Sequence, residues 1–123
     1  VTNILGGNLG WNLTATATTT LMTVAAEKIV KVNRITVANV DTSSAANVFL
    51  YVDGLTTAGA DGITPTGASA TVYLAKEIAV PADSTLVLVD TPIYLMEGDI
   101  LKGGASAASD LDLFISYEVL DDA

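Results

Sequence analysis

Alternation of apolar and polar side chains near the C-terminus constrains the fold of this chain more than any other feature. In residues 111–120, LDLFISYEVL, apolar side chains recur at every second position. Asp112, Ser116 and Glu118 mark the opposite phase. Because successive side chains of a strand point to opposite faces of a sheet, this segment predicts a β-strand with one buried face.

The remainder of the chain has the same β-strand character. Val, Ile and Thr suit a pleated surface, and no segment shows a sustained helical period. One further strand is predicted after Glu27, and the others are predicted at residues 16–24, 47–53, 71–80, 85–90, 93–95 and 100–102. Seven to eight short strands joined by turns predict an all-β, single-domain antiparallel β-sandwich or jelly roll.

The strand that follows Glu27 changes its apolar phase. Val30 and Val32 are apolar on even positions, whereas Ile35 and Val37 are apolar on odd positions. A one-residue slip would turn half of these side chains to the wrong face of the sheet. We therefore expect a β-bulge or a bend at residues 33–34.

Residues 47–53, NVFLYVD, are apolar on both phases. The even positions are Val or Leu, and the odd positions include Phe49 and Tyr51. A strand with two apolar faces is buried on both sides, either by packing or by assembly. Phe49 and Tyr51 are therefore predicted interface residues.

Residues 71–80 also carry their apolar side chains on one phase: Val72, Leu74, Ile78 and Val80. Lys76 interrupts this phase. On an edge strand a lysine discourages unwanted strand pairing, and at an interface it forms a salt bridge between subunits. The second interpretation makes Lys76 a predicted interface residue.

The first 14 residues predict an extended N-terminal arm ahead of a β-sandwich domain at residues 15–123. The segment VTNILGGNLGWNLT contains three glycines, which oppose both helix and regular strand. Its large apolar side chains would dock onto the domain or a neighbouring subunit, and the alternative is a frayed terminus. These candidate interface residues are Ile4, Leu5, Leu9 and Trp11.

Histidine and cysteine are both absent, which excludes most site chemistry. Ser-His-Asp and Cys-His catalysis, zinc bound by these residues, iron–sulfur clusters and disulfides all require them. The carboxylates match no EF-hand spacing and no aromatic residues cluster around a carboxylate pair that could act on a sugar. We predict no catalytic, cofactor or metal site, and no small-molecule substrate.

The net charge of −9, from 14 acidic and 5 basic side chains, limits the classes of partner that the chain can bind. So few cations cannot neutralise a nucleic-acid backbone or hold an anionic membrane surface. No apolar run approaches the length of about 18 residues that spans a bilayer, and no signal peptide is expected. Half of the residues are hydrophobic, and a chain with so little charged surface favours contact with other subunits.

Residues 54–70 form the longest predicted loop, with four glycines and many small polar residues. Long loops in compact domains are often where binding occurs. The loop therefore supports an alternative function as a lectin-like or receptor-binding module.

Five segments within residues 27–120 carry a family resemblance: IVKVNRITVANV from Ile29, VFLYVD from Val48, YLAKEIAVPADSTLVL from Tyr73, IYLMEGDIL from Ile93 and ASAASDLDLFISYE from Ala105. Together they resemble small β-sandwich virion proteins of tailed bacteriophages, which serve as capsid decoration (cement) proteins, neck parts or tail accessories. No catalytic motif accompanies the pattern, and the arm lies outside it.

The resemblance implies a non-enzymatic structural protein of the virion, assembled in the bacterial host cytoplasm. Its most specific form is a capsid decoration protein, a homotrimer that bridges capsomers and binds the major capsid protein. A neck, tail or fibre component is the alternative within the same class. Either function requires surfaces that bind copies of the chain or other virion proteins.

Overall fold

The computed structural model describes residues 4–14, 19–54, 66–67 and 69–121, and within them the chain forms strands and turns without a helix. The prediction of an all-β fold is confirmed. The described strands number nine, not the predicted seven to eight: β1 (Ile4–Asn12), β2 (Thr19–Thr23), β3 (Lys28–Asn39), β4 (Ala46–Asp53), β5 (Val72–Val80), β6 (Thr85–Val89), β7 (Ile93–Leu95), β8 (Ile100–Ala105) and β9 (Leu111–Asp121).

The strands form two antiparallel sheets. Sheet A has the order β1-β9-β3-β6, with β7 also paired to β3, and sheet B has the order β2-β8-β4-β5. The pairing is nested: β1 pairs with β9, β2 with β8, β3 with β6 and β4 with β5. This order leaves β1 and β5 at sheet edges.

One cluster of buried apolar side chains joins the two sheets. Ile35 and Ile115 of sheet A and Leu50 and Leu101 of sheet B are all completely buried in it. Each such side chain contributes about 1.5–3 kcal/mol to folding. The sheets therefore face one another across a shared core, an arrangement consistent with the predicted β-sandwich.

Two periodicity predictions for the central strands of sheet A are confirmed. Leu111, Leu113 and Ile115 of β9 are buried, whereas the intervening side chains are exposed. In β3 the pairing with β9 shifts register between Val32 and Arg34, where the phase change predicted a bulge. The extra residue keeps both halves of β3 directed at the core.

The glycine-containing N-terminal segment is a regular strand, so the prediction that its glycines oppose one is wrong. All nine residues of β1 pair with β9 without a register shift. A Cβ added to Gly7 would lie 2.6 Å from the ring of Tyr117, so glycine here allows an aromatic ring to lie against the backbone. The segment is extended and docks on the domain, which was one of the two predicted alternatives.

Two other segments pack differently from what their composition suggests. β6 is mostly apolar, yet it lies at an edge of sheet A and none of its side chains is fully buried. Residues 103–105 are small, yet they complete β8 and are buried. A Cβ on Gly103 would lie 2.7 Å from the Phe49 carbonyl oxygen, so the lack of a side chain is what allows this close packing.

Candidate interaction surface

The seven predicted interface residues fall into two groups on different sheets. Four belong to β1, at one edge of sheet A: Ile4, Leu5, Leu9 and Trp11. Three belong to β4 and β5 of sheet B: Phe49, Tyr51 and Lys76. The first group shares one strand, and the second shares one sheet face.

The outer face of sheet B holds a small aromatic cluster. Val48 and Leu50 point into the core, so the alternate residues Phe49 and Tyr51 point outward. Tyr73 stands opposite Tyr51 on β5, and the Lys76 ammonium nitrogen lies 5.3 Å from the centre of the Tyr73 ring. A cation over an aromatic face is attracted to it, which holds Lys76 on this face. Tyr73 was not among the predicted interface residues, and no feature of its local sequence pattern distinguishes it from Tyr51.

An ion pair lies beside this aromatic cluster. Lys102 of β8, the register partner of Tyr51, places its ammonium 2.7 Å from an Asp53 carboxylate oxygen. Asp53 also accepts a hydrogen bond from the Thr71 hydroxyl. The hydrogen bonds from Lys102 and then Thr71 lower the pKa of Asp53, and the Asp53 carboxylate raises the pKa of Lys102. Both groups therefore stay charged and paired at neutral pH.

Edge strand β5 exposes most of the apolar side chains that share its even phase. Val80 is buried, but Val72, Leu74 and Ile78 are 40–43% exposed. Two register shifts against β4 interrupt the alternation. Glu77, with a backbone φ of 53°, lies at one of them. Bulges of this kind are common at sheet edges, where they turn side chains away from the core.

Three exposed apolar side chains lie together where β5 of sheet B faces β7 of sheet A. We call this surface the β5–β7 rim, and its members are Val72, Leu74 and Tyr94. All three belong to the ten exposed large apolar side chains among the described residues. Such a concentration on one part of the surface is typical of a site that contacts another protein.

An apolar groove of about 220 Å³ runs through the β5–β7 rim. Val72 and Leu74 line it from sheet B, and Ile93 and Tyr94 line it from sheet A. Its walls therefore come from both sheets, at a place where the core opens to solvent. A partner that inserts an apolar side chain here would extend the core of the protein.

One carboxylate lies on the lining of this groove. Asp99 is 6% exposed and accepts a hydrogen bond of 2.9 Å from the Met96 amide. Burial raises the pKa of Asp99, and the Met96 hydrogen bond opposes that change. Among the described residues no three His, Cys, Asp or Glu side chains come together as a metal site. Asp99 is best explained as a turn-forming residue that orders the 96–99 turn.

The β1 edge is the second exposed region. Ile4 and Leu5 are more than 60% exposed, whereas Leu9 and Trp11 are half-buried. Leu9 lines a separate apolar pocket of about 200 Å³ with Met22 of β2. β1 thus lies on the β2 side of the molecule, whereas β5 lies beside β6 on the other side. The chain presents apolar surface at two opposite edges.

The loop predicted to be a binding site lies almost entirely outside the described residues, which include only Gly54, residues 66–67 and residues 69–70 of it. The lectin-like alternative therefore stays a prediction. No helix in the described part of the chain is long and apolar enough to cross a membrane.

Comparison with known proteins adds no family. No protein-family model matches the chain, and no curated protein matches it significantly. A function for this chain is therefore inferred from the surfaces described above and from the sequence resemblance.

Proposed function

We propose that this chain is a non-enzymatic structural protein of a bacteriophage virion, and specifically a capsid decoration protein. In this role it forms a homotrimer, binds the major capsid protein and stabilises the head by bridging capsomers. The β5–β7 rim is the observation that carries the proposal, because it offers apolar surface to a protein partner.

The nested strand order supports a jelly roll as the specific form of the sandwich. A jelly roll wraps four antiparallel strand pairs so that first pairs with last, second with next to last, and so on inward. The pairs β1–β9, β2–β8, β3–β6 and β4–β5 follow this order, with β7 as an additional short strand on β3. Jelly rolls are frequent in viral capsid and lectin domains.

The energetics of the β5–β7 rim favour association. Each rim side chain leaves about half of its surface in water. Covering the remainder of one such side chain is worth about 1 kcal/mol. Three of them supply an apolar centre for an interface, which polar side chains such as Lys76 would surround.

Position and charge fit a bridging role. The two apolar edges lie on opposite sides of the sandwich, so one subunit can bind two neighbours at once. The net charge of −9 keeps free subunits apart before assembly. Exposed like charges are screened by salt, so we expect association to strengthen as ionic strength rises.

Binding to undecorated capsids tests the proposal. The purified chain is mixed with undecorated bacteriophage capsids assembled from the major capsid protein of the same virion, and uptake is measured by co-sedimentation. We expect saturable uptake that Leu74→Gln/Tyr94→Gln abolishes and that Val40→Gln, at an exposed site away from the rim, leaves unchanged. An absence of uptake by the unaltered chain would remove the decoration function, and a neck or tail component would then be tested in the same way.

A further inference from the structure

β1 is an edge strand that lacks the usual protection against pairing. It is nine residues long, has no charged residue, no proline and no register shift, and within the described structure it pairs on one side only. Natural edge strands are normally short, bulged or charged. The other described edges follow that rule: β2 and β6 have five residues each, β7 has three, and β5 carries two register shifts and Lys76.

The hydrogen bonding of β1 determines which of its backbone groups face the open edge. The Leu13 amide donates to the Leu111 carbonyl oxygen at 2.8 Å, directly after the register pair Asn12–Asp112. Because hydrogen-bonded pairs alternate along an antiparallel ladder, the odd-numbered residues of β1 bond to β9. The amide and carbonyl groups of the even-numbered residues, from Ile4 to Asn12, therefore point to the open edge.

We propose that β1 pairs antiparallel with β1 of a second copy of this chain, across a two-fold axis at Asn8. Asn8 then faces Asn8 of the second copy, Gly6 faces Gly10 and Ile4 faces Asn12. Only this register pairs all nine residues of β1 with all nine residues of the second β1. It also places the even-numbered amide and carbonyl groups of the two strands opposite each other. The five facing pairs exchange about ten backbone hydrogen bonds, and the two copies of sheet A become one continuous sheet.

Charge selects a second copy of the chain as the occupant. The chain has a net charge of −9, so most approaches between copies place acidic side chains against each other. The β1 edge carries no charge, which makes it a place where two copies meet without like charges directly opposed. The register also sets Leu5, which is 65% exposed, opposite Trp11 of the second copy and covers it.

This pairing is independent of the proposed capsid function, because it depends on β1 alone. The β5–β7 rim lies on the other side of the sandwich, so a trimer formed through the rim leaves β1 open. In such an assembly the β1 pair joins one trimer to the next.

Single-cysteine variants test the register, since the natural chain has no cysteine. Facing residues of a hydrogen-bonded pair have Cα atoms about 5.5 Å apart, within the range that a disulfide spans. We expect Asn8→Cys to form a disulfide-linked dimer under mild oxidation. A mixture of Gly6→Cys and Gly10→Cys should cross-link, whereas each alone should not. Thr85→Cys, on edge strand β6, is the control that stays monomeric on a denaturing gel.

Charge substitutions test the same contact in solution. Asn8 is exposed, so Asn8→Lys and Asn8→Asp should keep the fold, which circular dichroism verifies. Each variant alone places two like charges face to face, and we expect the mass measured by light scattering to fall to half that of the natural chain. Mixing the two variants should restore the larger mass, and Thr20→Lys on the β2 edge should have no effect.

Two results would overturn the inference: Asn8→Cys that cross-links no faster than Thr85→Cys, or Asn8→Lys with the mass of the natural chain. If Asn8→Lys leaves the mass unchanged while Leu74→Gln/Tyr94→Gln reduces it, the β1 pairing is wrong and the rim interface stands. The reverse pattern contradicts the rim and supports β1 pairing.

Discussion

The rings of Tyr51 and Tyr73, on neighbouring strands of sheet B, have centres 5.0 Å apart and planes inclined by 39°. Tyr51 is only 8% exposed although it points away from the core, whereas Tyr73 is 47% exposed. The Tyr73 ring therefore covers Tyr51 and presents its own other face to solvent. The aromatic cluster is ordered in the single subunit and available to a partner at the same time.

The first prediction concerns this ring pair. Tyr73→Ala removes the ring contact and uncovers Tyr51, so we expect the free energy of unfolding in urea to fall by about 1 kcal/mol. Tyr73→Phe keeps the ring and should stay within about 0.5 kcal/mol of the natural chain. Equal losses for the two variants would show that the hydroxyl group, and not the ring stacking, stabilises this face.

The second prediction compares two glycines with positive φ. Gly54 and Gly67 have φ of 84° and 71°, a conformation that costs other residues about 1–2 kcal/mol. A Cβ on Gly54 would lie 2.5 Å from the Gly98 carbonyl oxygen, whereas a Cβ on Gly67 would meet nothing within 4 Å. We expect Gly67→Ala to lose about 1–2 kcal/mol and Gly54→Ala to lose a further 1–3 kcal/mol or so from the backbone clash.

Thermal and urea unfolding of the two variants measure this difference. Gly54 directly follows β4, where the long loop begins, and Gly98 lies in the turn before β8. A clash between them would therefore separate two neighbouring strands of sheet B. Equal losses in the two variants would show that these turns are not packed as described.

The third prediction concerns pH. Burial raises the pKa of Asp99 above its ordinary value of 3.8, so the folded chain holds this proton more tightly than the unfolded chain does. The natural chain should therefore lose stability relative to Asp99→Asn as pH rises from 3.8 through the raised folded pKa. At lower pH the two chains should unfold alike.

Asp90→Asn is the matched control, because it removes the same charge at an exposed position. Unfolding in urea at several pH values compares the three proteins. If Asp90→Asn and Asp99→Asn change the pH dependence equally, net charge and not burial is responsible, and the third prediction is wrong.

Periodicity predicted the central strands well because those strands turn one face to the core and the other to solvent. In β9 the alternation leads directly to the buried residues Leu111, Leu113 and Ile115. In β3 the bulge could be predicted because the apolar side chains occupy even positions before it and odd positions after it. A bulge explains that change of phase.

The edges were harder to predict, for two physical reasons. In β5 the bulges lie between β-branched and apolar residues that suit either face, so alternation alone does not show which of them the core buries. In β1 the glycines lower strand propensity, but the neighbouring strand β9 supplies a complete set of hydrogen-bond partners and Tyr117 packs against Gly7. Tertiary pairing outweighs local preference there.

The β5–β7 rim contains none of the predicted interface residues, although three of those residues lie together on the outer face of sheet B. Phe49, Tyr51 and Lys76 do share one face, because two of them alternate on one strand and Lys76 lies on the strand beside it. Tyr94 and the groove were not predicted, since they arise where β5 and β7 of different sheets meet. Only the topology brings those two segments together.

The molar mass of the chain in solution, measured by sedimentation velocity across a range of concentrations, tests adhesion through the β5–β7 rim. We expect an oligomer larger than the 12.6 kDa subunit, with Leu74→Gln/Tyr94→Gln lowering the mass and Val40→Gln leaving it unchanged. All three positions are exposed and apolar, and Val40 lies away from the rim. A monomer at every concentration, or equal effects of the two variants, would contradict adhesion through the β5–β7 rim.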